Sequence, residues 1–288
     1  MLKSLPRELW AFDVEWVPDV ASGRRVYGLA DLVPDEAVLQ TMWERGGASE
    51  DAPRPYLKTV MCRVVSIAAV IRRQADSGRV TLDLRSLPNG DAATATEADL
   101  LTRFLTGIGK ATPQLVGFNS RSADLMILVQ RAMVHRLAQP EFCRRPARPW
   151  EGTDYFAKGS DAHVDLMEAF GGWGRTTPSL HEFATCCGIP GKTLTGGEAV
   201  VDLWLAGDVR GIVQYNECDA LTTYLLWLRA ALLSGLLTST QHAEEEALLE
   251  DLLRTRGEQD DHEHLLEYLE RWRELRGATP AFAATATS

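Results

Sequence analysis

Cysteine is scarce and shows no pairing pattern. Cys62, Cys143, Cys186, Cys187 and Cys218 are odd in number and form no Cys-x-x-Cys pair. That gives no sign of a disulfide framework and fits a reducing, cytoplasmic setting. Long apolar runs are missing as well. No stretch approaches the length of a membrane span, and no apolar run precedes the first charges as a signal peptide would require. Positive charge is in short supply: 30 Lys and Arg face 40 Asp and Glu, for a net charge of -10. A tight, nonspecific nucleic-acid binder neutralises many phosphates with bases, so this balance argues against one. No glycine-rich nucleotide loop is present. Gly107 to Thr112 is superficially similar to one but lacks the Gly-x-x-x-x-Gly-Lys-Ser/Thr spacing.

What is present is a chain of 288 residues, 45% hydrophobic, enough for one sizeable core with room for an appended element. The acid is unevenly placed. Residues 241–288 hold 12 Asp or Glu against 5 Arg, whereas the other 240 hold 28 acids against 25 bases. Between 131 and 150, Arg131, Arg136, Arg144, Arg145 and Arg148 face Glu141 alone, which reads as a local basic patch on an acidic body.

Periodicity predicts a central strand over Leu9–Val14 and a second over Thr59–Val70. A hairpin turn at Asp76-Ser77-Gly78 leads to a third over Val80–Leu84. Residues 18–56 read as a long connection with a short helix at 34–45. Thr96 caps a predicted helix to Ile108, Leu115–Phe118 is a short strand, and 122–138 is helical. Residues 140–162 read as loop and His163–Leu166 as a last short strand. Ser179 and Glu182 form a capping box for the next helix, and two more helices follow at 197–206 and 211–236. The expected fold is α/β: a mixed sheet flanked by helices over 1–240, an acidic helical extension over 241–276, and a disordered tail over 277–288.

Acidic side chains sit beside these apolar stretches, where an unpaired charge is costly. Asp13 and Glu15 are two apart on a strand and share a face. Tyr215 and Asp219 are four apart on a helix and share a face. Asp124 opens another helix just beyond the strand ending at Phe118. Hard divalent cations prefer oxygen ligands of this kind. Taken singly, each residue also reads as a helix cap or a solvated edge. Together they suggest a metal site that cuts a phosphodiester. Asn119, Phe118 and Arg121 lie near Asp124 and are candidates to contact the terminal nucleotide or a phosphate.

Three motifs carry a resemblance: Phe12-Asp13-Val14-Glu15; Gly117-Phe118-Asn119 leading to Asp124-Leu125; and Tyr215-Asn216-Glu217-Cys218-Asp219. With them the chain resembles the tyrosine-bearing (DEDDy) branch of the DEDD 3'–5' exonucleases. More narrowly, it resembles the exonucleases related to the proofreading domain of family B DNA polymerases. The resemblance covers residues 6–236 and implies a ribonuclease H-like fold. It further implies two divalent ions, Mg²⁺ or Mn²⁺, held by Asp13, Glu15, Asp124 and Asp219, with Tyr215 orienting the attacking water. The expected substrate is the 3' end of single-stranded DNA, released as nucleoside 5'-monophosphates. An exoribonuclease with the same site, and a non-catalytic nucleic-acid-binding protein of this fold, are the alternatives. Where relatives often carry Gly-Arg-Gly-Phe, this chain has Ser120-Arg121-Ser122-Ala123.

Overall fold

The computed structural model describes residues 2–89, 95–148, 151–172, 174–191 and 198–278. Five strands form one sheet: β1 (Glu8–Pro18), β2 (Cys62–Gln74), β3 (Val80–Leu87), β4 (Gln114–Gly117) and β5 (His163–Asp165), in the order β3-β2-β1-β4-β5. The pairs β1–β2 and β2–β3 are antiparallel, and β1–β4 and β4–β5 are parallel. The sheet is mixed and flanked by helices, consistent with the ribonuclease H-like architecture expected above.

Alternation along β1 sets the layers. Trp10, Phe12 and Val14 enter one core cluster, and Leu9 and Ala11 the other. Between β1 and β2 run α1 (Val20–Tyr27) and α2 (Asp35–Gly46). Nothing in the sequence signals α1, because the positions it buries are Ser22 and Gly23, not an apolar stripe. Asp19 starts it by accepting the Ser22 N–H, and Gly28, at φ 65°, ends it. The first layer is closed by α3 (Glu97–Ala111) and α4 (Asp124–Val134). The Thr96 cap is a full capping box with Asp99. Short turns of helix follow as α5 (Pro140–Cys143) and α6 (Leu166–Phe170), the first inside a stretch that reads as loop from sequence. α7 (Leu180–Cys186) carries the expected Ser179–Glu182 capping box, but Cys186 at its end is exposed, not core.

The second layer is built on α9 (Val209–Leu233), which follows α8 (Glu198–Leu205). Every residue of α9 from Tyr215 to Leu228 is buried. Such a helix needs cover on both sides. The sheet supplies one side, and α10 (Ser239–Gly257) with α11 (Glu263–Ala278) supplies the other. Leu249, Leu253, Leu265, Tyr268, Leu269 and Trp272 join the same cluster as Leu9 and Ala11. Of the tail at 277–288, residues 279–288 lie outside the described residues.

One buried ion pair ties this cover to the sheet. Arg72 of β2 is fully buried and donates to Glu245 of α10 twice, at 2.8 and 2.6 Å. Tyr224 of α9 donates to the same carboxylate at 2.9 Å. Burial alone would lower the Arg72 pKa; the hydrogen bonds and charge of Glu245 outweigh it and raise it. Breaking one half of such a pair strands a charge. Glu245→Ala should therefore cost about 3–5 kcal/mol in urea unfolding, and Arg72→Met/Glu245→Leu should recover most of it. A chain ended at residue 240 should fail to fold, read as loss of a cooperative thermal transition.

Candidate metal centre

Asp13 and Glu15 project from the face of β1 that also carries Leu9 and Ala11, the face that α9 covers. The pairing with β2 runs Glu15↔Ser66 and then Trp16↔Val64, so Val65 is an extra residue in β2 beside Glu15. A bulge of this kind bends the strand and re-aims side chains. The α9 helix brings Asp219 to the same place. One ligand oxygen from each of Asp13, Glu15 and Asp219 lies within 4.8 Å of the other two. Asp219 is buried and the other two are half-buried. The donor set is all oxygen and triply acidic, which suits a hard divalent cation. Oxygens on one ion at about 2.0–2.1 Å stand at most about 4.2 Å apart, so shifts of about half an ångström would close the set. Tyr215 lies one turn before Asp219, and its ring packs with Val17, Val65, Val200 and Ile212.

Asp124 is held differently. It is buried at the first position of α4, and its Oδ1 accepts the Val14 N–H at 3.0 Å. Parallel pairing with β4 reaches only Ala11, so this carboxylate meets β1 beyond the last β4 partner, between Asp13 and Glu15 in the chain. It is not one of the three that converge within 4.8 Å.

The loop that delivers Asp124 is fixed by β5, a contribution the sequence barely signalled. Asp165 accepts the Asn119 and Arg121 N–H groups, both at 2.9 Å, and also caps α6 through Met167 N–H at 3.0 Å. Asn119 adopts a φ of 59°, a conformation that asparagine tolerates. At Gly117 a Cβ would lie 2.3 Å from that of Ser120, so only glycine fits. Ser120 is fully buried, with Oγ 2.8 Å from His163 Nε2. Among the expected substrate contacts, Phe118 is half-buried against the α9-side core and Asn119 is half-buried. The Arg121 guanidinium is held by Glu168 at 3.0 Å and by the His163 carbonyl at 2.9 Å.

The basic patch does not form as the sequence suggested. Arg131 is buried, seven residues beyond Asp124 on α4. It donates to Glu97 at 2.8 and 2.7 Å and to Asp19 at 2.9 Å. Glu97 in turn accepts the Val64 N–H at 2.7 Å, next to the bulge. Burial would raise the Asp19 pKa, but the Ser22 hydrogen bond and the Arg131 charge hold it below the usual carboxylate range. Arg144, Arg145 and Arg148 pair with Glu141, Asp154 and Glu151. Four of the five arginines clustered in sequence are thus engaged in separate ion pairs, one of them structural.

A mixed sheet whose central strand and crossing helix converge three carboxylates is the arrangement expected of a ribonuclease H-like nuclease. More particularly, the chain belongs to the family described as predicted 3'-5' exonucleases related to the exonuclease domain of PolB, which matches residues 54–272. That makes it an enzyme of the 3'–5' exonuclease class. The matched span takes in Asp124, Tyr215, Asp219, all of α10 and most of α11, so it runs beyond residue 236, where the resemblance read from the motifs ended. It begins after Asp13 and Glu15, and the convergence with Asp219 is what connects those two to the site. No curated protein matches the chain. Among the described residues no helix is long and apolar enough to cross a membrane.

His163 gives the site's scaffold a pH signature. Burial first, then the Arg121 charge, lowers its pKa to about 3. The unfolded chain takes up this proton near pH 6.5 and the folded chain does not, so stability is lost as pH falls from about 6.5 toward 3. His242 is shifted in the same direction, so the test is a difference. Between pH 6 and 4, wild type should lose up to about 1.4 kcal/mol per pH unit more than His163→Gln in urea unfolding. Parallel curves would remove His163 from this account.

Proposed function

We propose that the protein shortens single-stranded DNA from its 3' end, releasing nucleoside 5'-monophosphates with two divalent ions, Mg²⁺ or Mn²⁺. The observation that carries the reading is the convergence of Asp13, Glu15 and Asp219 within 4.8 Å, in a chain of the 3'–5' exonuclease family. Asp13, Glu15 and Asp219 would hold one ion, and Asp13 and Asp124 would serve the second. When bound, the ions supply positive charge to the phosphoryl oxygens and make water acidic enough to attack near neutral pH.

The remaining work falls to the chain. Tyr215 Oη accepts or donates one hydrogen bond to the attacking water and so sets its line of approach. A tyrosine with an ordinary pKa near 10 is a poor general base, so its part is orientation. Its ring packs in one cluster with Val17 of β1 and with Val65, the bulged residue of β2, which limits how far the hydroxyl can swing. Asp124, anchored on the Val14 N–H, keeps one oxygen committed to the strand and would offer the other to the second ion. Asn119 and Phe118, on the loop that Asp165 braces, meet the terminal nucleotide. Arg121, whose backbone is fixed by the same carboxylate, is the candidate in this loop to steady a phosphate.

Purified protein with Mg²⁺ or Mn²⁺ and 5'-labelled single-stranded DNA should give a ladder shortening from the 3' end, with matched RNA cut more slowly. Faster cutting of RNA would reassign the substrate; no cutting of either strand would overturn the reading. Asp13→Ala should abolish cleavage and keep the wild-type thermal midpoint. Tyr215→Phe should lower kcat roughly tenfold to a hundredfold, the worth of one lost hydrogen bond of about 1.5–3 kcal/mol. Its metal-concentration profile should stay unchanged, whereas Asp124→Asn should shift that profile to higher concentration.

A further inference from the structure

The bulge in β2 does more than bend the strand, because it leaves Arg63 on the acidic face. Val65 and Arg63 alternate with Cys62 and Val64, which pack into the opposite cluster. Arg63 pairs with Val17, two residues beyond Glu15 on the same side of β1. The guanidinium is supported by Trp204 of α8, with its central carbon 5.2 Å from the ring centroid. Its Nε is buried and has no hydrogen-bond partner among the described residues. Asp19 feels its charge, but the Asp19 carboxylate already accepts from Ser22 at 2.6 Å and from Arg131 at 2.9 Å. The buried Nε is closed to an entering strand, so the terminal nitrogens of this ring-braced cation, on the face that carries Glu15, are what an anion would meet. α8 is itself anchored: Val200 joins the Tyr215 cluster, and Asp202 pairs with Arg54.

We infer that Arg63, held by Trp204, binds a backbone phosphate of the nucleic-acid strand entering the metal centre. The inference rests on the nuclease reading above. The cation offsets the repulsion between a polyanionic strand and an acidic site, and it contributes affinity where net charge contributes none. Arg63→Gln should raise KM for a single-stranded oligonucleotide by about tenfold or more and change kcat less. The slope of log KM against log salt should fall by about 0.7, the share of one phosphate contact to a single strand. Arg63→Lys should keep the salt slope and recover part of KM, since it keeps the charge and loses the fork. Trp204→Leu should raise KM in the same direction. A wild type that cuts, with an Arg63→Gln variant that keeps KM and salt slope while its thermal midpoint falls, would make Arg63 structural and overturn the inference alone. A wild type that cuts no strand with either metal would overturn the exonuclease reading, and this inference with it.

Discussion

Three carboxylates within 4.8 Å of one another repel, and the fold is arranged to hold them there. Two come from a strand and one from a helix, so the site exists only while α9 lies against β1. That contact is gripped from both sides. The sheet meets α9 through Leu9 and Ala11, and the outer helices meet it through Leu249, Leu265 and Trp272. A metal site of this kind is a packing result before it is a chemical one, since packing supplies the energy that keeps like charges near each other.

The second theme is the use of buried charge as mortar. Arg72 and Glu245 fasten the outer helices to the sheet, and Arg131 fastens α4 to Glu97 and Asp19 around the bulge. Asp165 does comparable work for the loop before Asp124 with backbone donors alone. None of these groups belongs to the converging acidic cluster, yet each controls the position of an element that does. The acid-rich composition is therefore only partly a solvated surface. Glu97, Asp165, Glu217 and Glu245 are all buried with partners.

Much of this was legible beforehand, for identifiable reasons. The five strands and the long helices are periodic, and the caps at Thr96 and Ser179 are local chemistry, so a sequence displays them. Two-residue and four-residue spacings placed Asp13 with Glu15, and Tyr215 with Asp219, on common faces. What stayed hidden depends on pairing between distant segments. The α1 helix buries small polar positions and leaves no stripe. Arg131 looked like one of a run of surface arginines, because its partners are 34 and 112 residues away. The acidic segment after 240 looked appended because most of its charges face outward, while Glu245, its leucines and Trp272 are buried. Arg63 carries no motif; its direction follows from one extra residue in β2.

That the centre is split between the first strand, β1, and the middle of α9 also has a bearing on synthesis. A ribosome delivers Asp13 and Glu15 before the other four strands, and Asp219 only after all five have been made. Until α10 and α11 follow, the buried face of α9 has no cover, and domains generally settle as whole units. The three carboxylates thus come together only with completion of the core, a consequence of topology.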